Sequence, residues 1–393
     1  MANDGKITVA LLWKASGGNV TSVNDLAGAL DGDRFDVVFI FLGGPAEKAT
    51  WMEQGGHKVF YLSDKRRLGL LSPAKILKLI RILRLHRVDI LHCHNHKANV
   101  YGVLAGTLAR TPVVLAQIHG LERARNLRRK ITNLLLFRKA RRIVAVADAV
   151  QEDVLANNWR VPREKLFVLE NSVDYARFAD PSISRSEARR LLGIELGAVV
   201  FGTIGRLAPT KGLPYLIRAF SVVWRDVPAA HLVVLGDGPC RGELERHVAQ
   251  MHCRDAIHFL GYQPNVEHLL KGMDVFVLSS VAEGMPRVIL EAMAAGVPCV
   301  STAVGGIPEM FGDGTLGVLV PPRDPEKLAA AMTGWLNMSE LERQERVEKA
   351  KDHARRHHSH EVLVAKLSRL YESEFSACRA RKDAVADTVL HPH

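Results

Sequence analysis

Short apolar runs alternate with amphipathic stretches along the first half of the chain, a pattern typical of strands followed by helices. Helical spacing of apolar residues runs from Pro73 to about His86 and around Asn99–Arg110. Strands and helices that alternate at this spacing predict a parallel sheet with helices on both faces. The predicted strands are Ile7–Leu12, Phe35–Phe41, Val59–Leu62, Ile90–His92, Val113–Gln117 and Ile143–Val146.

The same pattern restarts in the second half, after a predicted linker from about Asn171 to Ser184. Strands are expected at Val199–Ile204, His231–Leu235, Ile257–Tyr262 and Asp274–Leu278. A chain of 393 residues is too long for one ordinary core. The fold class expected is therefore α/β, with two doubly wound, Rossmann-like domains.

The stretch from Phe276 to Glu309 carries the most informative chemistry. Its pattern predicts a strand, a polar loop with Glu283, a helix with Pro286 at its first position, and a stop at Gly296. Glu291 lies inside that helix, roughly 7–8 Å along its axis from Pro286. A helix N-terminus suits a phosphate, and carboxylates on either side suit sugar hydroxyls, so the stretch is interpreted as a nucleotide-sugar site.

A second candidate phosphate site is the turn Gly205–Gly212, directly after the predicted strand Val199–Ile204. Arg206 and Lys211 lie in this glycine-flanked turn. A diphosphate there would meet a guanidinium, an ammonium and backbone N–H groups together.

These motifs, Glu283 and Glu291 eight residues apart within EGMPRVILEAMAAGVP and the Gly205–Gly212 turn, resemble the signatures of the retaining GT-B glycosyltransferases of group 1 (family 4). The resemblance implies two Rossmann-like domains that face a central cleft. It implies an acceptor-binding domain at 1–172, a nucleotide-sugar domain at 173–361, and a helix at 362–378 that rejoins the first domain. The residues at 379–393 themselves are expected to form a flexible tail.

The resemblance also implies roles for single residues. His119, in the His-Gly pair after the strand Val113–Gln117, is expected to contact the donor sugar and Glu283 its hydroxyls; these two form the expected catalytic pair. Glu291 is expected to hold the ribose. The remaining expected donor-binding residues are Gly17, Gly18, Arg206, Lys211, Tyr262, Gly284, Met285, Arg287 and Val288.

The expected reaction is transfer of a hexosyl or N-acetylhexosaminyl group, with retention, to a glycan or lipid-linked acceptor in cell-surface polysaccharide or lipopolysaccharide biosynthesis. The nucleotide sugar is a co-substrate, and no cofactor or metal is expected. Two departures from the family pattern stand out. Proline replaces a common glycine at 286, and Glu170 and Ser172 replace the usual proline and glycine of the inter-domain run.

The net charge of +11 belongs to the first half of the chain. Residues 1–180 hold 28 Lys and Arg against 17 Asp and Glu, whereas residues 181–393 hold 25 of each. Leucines interleaved with basic residues at 65–84 and 123–142 are typical of a helix on an anionic membrane surface, although the leucines alone also suit inward packing. Aromatic residues are nearly absent from both segments, which disfavours nucleic-acid binding.

Two other classes of function stay open on sequence alone, a GT-B-fold UDP-sugar epimerase and a non-enzymatic protein that binds polyanions or membranes. The five scattered cysteines and the acidic, short apolar N-terminus favour the cytoplasm, with peripheral attachment to the inner face of the plasma membrane. Asp31-Gly32-Asp33 is interpreted as a turn rather than a metal motif. His92, His94 and His96 alternate along a strand end and are interpreted as a loop that lines the acceptor cleft.

Overall fold

The computed structural model describes residues 5–14, 30, 32–44, 51–63, 71–121, 126–180 and 182–390, and they form two units. One unit comprises Met1–Glu170 with Leu363–His393, and the other comprises Asn171–Val362. Gly17, Gly18 and Asp31 lie outside the described residues.

The first unit is built on a parallel sheet with the strand order β3-β2-β1-β4-β5-β6-β7. Its strands are β1 (Ile7–Trp13), β2 (Phe35–Phe41), β3 (Lys58–Tyr61), β4 (Ile90–His94), β5 (Val113–Ile118), β6 (Arg142–Ala145) and β7 (Leu166–Val168). Its helices are α1 (Trp51–Gln54), α2 (Pro73–Leu85), α3 (His96–Ala109), α4 (Leu127–Lys139) and α5 (Asp148–Asn157).

The second unit repeats this architecture with the order β10-β9-β8-β11-β12-β13, again parallel. Its strands are β8 (Val199–Ile204), β9 (Ala230–Leu235), β10 (Ile257–Gly261), β11 (Val275–Leu278), β12 (Cys299–Thr302) and β13 (Val318–Val320). Its helices are α6 (Tyr175–Ala179), α7 (Arg185–Leu192), α8 (Leu213–Asp226), α9 (Arg241–Val248), α10 (Val266–Leu270), α11 (Arg287–Ala294), α12 (Ile307–Met310), α13 (Pro325–Asn337) and α14 (Glu340–His358). The two parallel sheets confirm the predicted α/β class.

Each sheet is buried on both faces, as apolar strands without polar alternation require. In the first unit, α2, α3 and α4 bury Leu79, Tyr101 and Leu136 against one face. The last helix, α15 (His360–Leu390), places Leu367 and Tyr371 in the core on the other face.

The segment predicted to be a tail at 379–393 is helical over most of its length, because α15 continues to Leu390. Arg379 to Leu390 contains no glycine or proline, and alanine, arginine and leucine favour a helix. The helix is also fixed upstream, where Glu374 accepts hydrogen bonds from Arg141 and Arg142 at 2.6 Å each.

Candidate active site

In the second unit, strand order reverses between β8 and β11. From β8 the chain continues outward through β9 and β10 on one side, while β11 begins the other side. Ligands in open parallel sheets bind at the carboxyl ends of the strands at such a reversal. The loops that meet there are joined by hydrogen bonds from Ser279 Oγ to the Lys211 carbonyl (3.0 Å) and from Val281 N–H to the Thr210 carbonyl (2.8 Å).

An ion pair between Lys211 and Glu283 lies at this reversal. Lys211 Nζ is 2.5 Å from Glu283 Oε1, and Ser280 Oγ donates to the same oxygen at 2.7 Å. The two charged side chains are 22% and 13% exposed, so both are largely withdrawn from water but still reachable. Glu283 Oε2 has no hydrogen-bond partner within the described part of the chain. The structure thus brings together two predicted site residues that lie 72 positions apart.

Glycine is required where the two loops touch. Gly212 has φ +61°, and a Cβ there would lie 2.2 Å from the Ser279 carbonyl oxygen. Any other residue would push the Lys211 turn away from the Glu283 loop. Arg206, in the same turn, is exposed and forms no hydrogen bond or ion pair with another described residue.

The helix after Glu283 begins one residue later than predicted. Pro286 is the N-cap, with an extended backbone at φ −75° and ψ 115°, and the first helical residue is Arg287. The preceding loop is fixed in this extended form because Asn171 Nδ2 donates to the Met285 carbonyl at 2.6 Å and Gly306 N–H to the Gly284 carbonyl at 2.7 Å. The N–H groups of Arg287 and Val288 therefore belong to the first turn, where N–H groups lack intrahelical partners.

Glu291 lies one helical turn after Arg287, and their charged groups approach to 4.0 Å, each side chain being 15% exposed. At the end of β10, the Gly261 carbonyl accepts a hydrogen bond from Gly236 N–H, whereas the Tyr262 side chain is 78% exposed. The ends of β8, β10 and β11 thus place Arg206, Lys211, Tyr262 and Glu283 along one edge of one sheet, and the helix α11 that starts after this edge carries Arg287 and Glu291.

The first unit has its own strand-order reversal, between β1 and β4, and aromatic rings lie there. Trp13 at the end of β1 stacks on His94 at the end of β4, with ring centroids 4.1 Å apart and planes 7° apart. His119, directly after β5, lies 5.7 Å from the His94 ring and 5.9 Å from Trp13. His119 therefore lies at the carboxyl edge of the sheet, beside an aromatic stack.

The histidine row of β4 does not line an open loop, so that interpretation is wrong for His92 and His94. Both are strand residues, exposed by 0% and 1%, and His96 is the first residue of α3. Burial lowers the pKa of His92 to about 3, and burial, followed by the neighbouring His92, lowers the pKa of His94 well below its usual value. His92 Nδ1 also lies 2.8 Å from Tyr371 Oη of α15. These rings are uncharged parts of the core.

Trp13 was not singled out by the sequence reasoning, although its position at the end of the first strand is a signal that could have found it. The five cysteines are free thiols. In the described ranges, no group of three or more His, Cys, Asp or Glu side chains is placed to hold a metal ion. None of the helices there combines the length and apolarity that crossing a bilayer requires.

Comparison with known proteins gives matches over both units. The protein family described as "Glycosyl transferases group 1" matches residues 184–354. The family described as "Glycosyltransferase Family 4" matches residues 16–177. The Escherichia coli UDP-Gal:alpha-D-GlcNAc-diphosphoundecaprenol alpha-1,3-galactosyltransferase is 27% identical over 289 residues, which is 70% of this chain and 74% of that protein. An uncharacterized glycosyltransferase of Methanocaldococcus jannaschii is 30% identical over 265 residues, 64% of this chain and 67% of that protein.

Among solved structures, the fold is similar to that of Anabaena HepE crystallised with UDP. The TM-score is 0.80 at 23% identity, over 94% of this chain and 100% of that one. The same protein with UDP-glucose gives a TM-score of 0.80 at 22% identity, over 93% of this chain and 100% of that one.

Proposed function

The chain belongs to the group 1 family of glycosyltransferases and has the GT-B fold, and from this we propose that it transfers a sugar from a UDP-sugar to a lipid-linked or glycan acceptor, with retention and without a metal ion. The family and the enzyme class predicted from Glu283, Glu291 and the Gly205–Gly212 turn are thereby confirmed.

The observation that carries the proposal is the Lys211–Glu283 ion pair at the strand-order reversal of the second unit. The pair holds a cation and a carboxylate in one place, which are the two groups that a sugar diphosphate needs. An entering diphosphate competes with Glu283 for the Lys211 ammonium. Once displaced, Glu283 can accept hydrogen bonds from the sugar hydroxyls while Ser280 still holds it at 2.7 Å.

Charge on the leaving diphosphate grows as the bond to the sugar breaks, and fixed cations stabilise it without a metal ion. Lys211 is only partly exposed and lies in the turn after β8, and Arg206 stands exposed in the same turn. The N–H groups of Arg287 and Val288 at the start of α11 add partial positive charge. This set supports metal-independent transfer.

Retention is proposed from the resemblance of the Glu283–Glu291 motif to the retaining enzymes of group 1. The route that this resemblance suggests is attack on the same face that the diphosphate leaves, assisted by the leaving group. The cations that stabilise the leaving diphosphate suit that route.

The donor and the acceptor are inferred from the relatives. The Escherichia coli relative is named for a UDP-galactose donor and a diphosphoundecaprenol acceptor, and HepE was crystallised with UDP and with UDP-glucose. A UDP-hexose donor and a polyprenyl-diphosphate acceptor in cell-surface polysaccharide synthesis follow as the proposal.

A lipid-linked acceptor requires contact with a membrane surface, and the helix layer α2–α4 has the composition for it. The helix α3 packs between α2 and α4. Seven of the thirteen exposed large hydrophobic residues in the described part of the chain lie on these three helices. They are Leu77, Leu85, Leu104, Leu108, Leu127, Ile131 and Leu135. Exposed basic residues such as Arg81 and Arg128 accompany them, which suits anionic lipid.

Vesicle flotation tests this surface. We expect capture by phosphatidylglycerol vesicles at low salt, with weaker capture of Ile131→Asn/Leu135→Asn. Leu341→Asn is the matched control, since Leu341 is 75% exposed but lies on α14 of the second unit. Equal capture of the double variant and the wild type would remove the membrane proposal.

The reaction is tested by release of nucleoside diphosphate from a panel of UDP-, GDP- and ADP-sugars, with and without EDTA, for the wild type and Glu283→Ala. The proposal is supported if the wild type releases UDP from a UDP-sugar in the presence of EDTA and the Glu283→Ala variant does not. Interconversion of sugars without release of diphosphate would instead identify an epimerase, and absence of turnover with every donor would contradict the proposal.

A further inference from the structure

A cavity lies at the opposite edge of the first unit's sheet from His119. It has a volume of about 510 Å³ and is lined by residues at the amino ends of strands, including Val114 of β5. His119 follows the other end of β5, and five residues of extended strand separate the two positions by roughly 16 Å. We infer that this cavity is a separate binding site for a phosphate-bearing organic anion.

The charge of the lining residues carries the inference. Six cationic side chains line the cavity, and no aspartate or glutamate is among the described lining residues. The six are Arg110, Arg138, Lys139, Arg141, Lys165 and Arg381. They come from α4, α15, the C-cap of α3 and the segments that precede β6 and β7, so the fold, rather than one basic stretch, brings them together.

Two of the six cations already have partners. Lys165 Nζ donates to the carbonyls of Phe137, Arg138 and Ala140, each at 2.9 Å, and so caps the carboxyl end of α4. Arg141 pairs with Glu374 at 2.6 Å. Arg142 pairs with the same carboxylate, so one negative charge faces two arginines. Burial, followed by the charge of Arg141, lowers the pKa of Lys165, as expected where positive charges crowd together.

The other four cations have no hydrogen bond or ion pair with a described side chain or carbonyl. A structural explanation is that they offset the negative ends of α3 and α4. Lys165 already does this for α4, and Arg84 Nη2 does it for α3 by donating to the Leu108 carbonyl at 2.9 Å. Arg381 lies inside α15, well before its end at Leu390, so helix capping does not account for it.

Arg110 strengthens the case because it occupies a backbone conformation that favours glycine. It is the C-cap of α3, with φ 63° and ψ 34°. Glycine is the usual residue at such a left-handed helix end. An arginine there keeps a positive charge at the cavity despite the less favourable backbone.

The lining also limits the class of ligand. Arginine pairs with phosphate through two parallel hydrogen bonds, and the volume is in the range of small-molecule sites. Pro112, Val114, Ala140 and Cys378 add an apolar wall, which suits the organic portion of a phosphate ester. The anion is either a soluble organic phosphate or the headgroup of a phospholipid, and the site does not depend on the proposed transfer reaction.

Calorimetric titration with pyrophosphate tests the site. Two binding events are expected for the wild type, one at the donor site and one at the cavity. Arg206→Gln/Lys211→Gln should keep only the cavity event, and Arg138→Gln/Arg381→Gln only the donor event. In the donor-site background, each arginine removed should weaken pyrophosphate binding roughly 10-fold or more. Arg128→Gln, at the other end of α4, is the control and should leave binding unchanged.

A second variant separates binding from folding. Arg110→Gly removes a cation and relieves the left-handed backbone, so thermal stability should stay equal or rise while pyrophosphate binding falls roughly 10-fold. Unchanged pyrophosphate binding in both Arg110→Gly and Arg138→Gln/Arg381→Gln would overturn the inference.

Vesicles identify the source of the phosphate. If Arg138→Gln/Arg381→Gln also loses capture by phosphatidylglycerol vesicles while Ile131 and Leu135 are intact, the site accepts a lipid headgroup. If this variant is still captured by vesicles but no longer binds pyrophosphate or glycerol phosphate, the site takes a soluble phosphate. Either result supports an anion site.

Discussion

The two units place opposite chemistry at the same position of the same architecture. At the strand-order reversal of the second unit lie Lys211 and Glu283, a charged pair that remains partly accessible to water. At the reversal of the first unit lie Trp13 and His94, a buried and uncharged stack. In both units the parallel sheet brings strand ends together at the reversal. The residues at those strand ends and in the loops determine whether charged or aromatic side chains lie there. A charged diphosphate suits the Lys211–Glu283 pair, whereas the Trp13–His94 stack forms part of the core of the first unit.

This difference predicts that damage to the first unit's site appears as lost stability. Trp13→Ala removes a buried ring stacked at 4.1 Å, which should cost about 3–5 kcal/mol of unfolding free energy. Chemical denaturation monitored by circular dichroism measures it, with Trp13→Phe as the variant that retains a ring. A loss below about 1 kcal/mol in Trp13→Ala would mean that the stack does not support this edge of the sheet.

Damage to the second unit's site should appear as lost activity. Lys211→Met keeps most of the side-chain volume but removes the cation that is proposed to stabilise the diphosphate. The value of kcat/KM should therefore fall about 10²–10³-fold. The change in thermal stability should be small beside this loss of activity, because Ser280 still donates to Glu283 and water still reaches the carboxylate. Steady-state diphosphate release checks this, with Lys349→Met, a surface lysine of α14, as the control. Equal rates for Lys211→Met and wild type would remove Lys211 from the reaction.

The buried histidines predict a pH dependence of stability. His92 is neutral when folded, since its pKa is lowered to about 3, but it takes up a proton below its ordinary value of 6.5 when unfolded. The contribution of His92 to the free energy of unfolding is therefore complete above pH 6.5. It is lost as the pH falls toward 3, by about 1.4 kcal/mol per pH unit. Between pH 7 and 4.5, the melting temperature should fall less steeply with falling pH for His92→Leu than for the wild type. Parallel curves would contradict the neutral, buried state of His92.

The contact with the ribose that is expected of Glu291 should give a smaller effect when it is removed. Glu291→Gln preserves the shape of the side chain but loses the charge that faces Arg287 at 4.0 Å. The KM for the donor should rise roughly 10-fold with kcat within about twofold, the pattern of a binding contact made equally in ground and transition states. A fall in kcat with unchanged KM would instead place Glu291 in the chemical step.

The smallest expected effect is that of metal removal. If Arg206, Lys211 and the first turn of α11 supply the positive charge as proposed, about 5 mM EDTA should leave the initial rate unchanged. Loss of activity on chelation and recovery with Mg²⁺ or Mn²⁺ would assign the charge to a cation instead.

The sequence could predict what depends on local pattern. The apolar runs at Ile7, Val113 and Val199 were enough to place strands, and their alternation with helices predicted the parallel sheets. The Glu283–Glu291 spacing indicated the family because the motif is contiguous. By contrast, the Lys211–Glu283 pair joins positions far apart in sequence, and only the order of β8 and β11 brings them together.

The errors have physical causes of the same kind. His92 and His94 alternate as polar residues on an exposed face would, but Trp13 and Tyr371 cover them from distant elements. Pro286 suits both the N-cap and the first helical position, and the hydrogen bond from Asn171 to Met285 selects the former. The segment after Arg379 was predicted to be a tail, although residues 379–390 contain no glycine or proline and the structure continues α15 to Leu390.

The central claim is that the second unit binds a nucleoside diphosphate through its cations. The most direct measurement is calorimetric titration of UDP and of uridine onto the wild type and Lys211→Met. The claim predicts that UDP binds the wild type roughly 100-fold tighter than uridine, and that this difference largely disappears in Lys211→Met. If UDP keeps the same advantage over uridine in Lys211→Met, the diphosphate does not bind at this ion pair and the account is wrong.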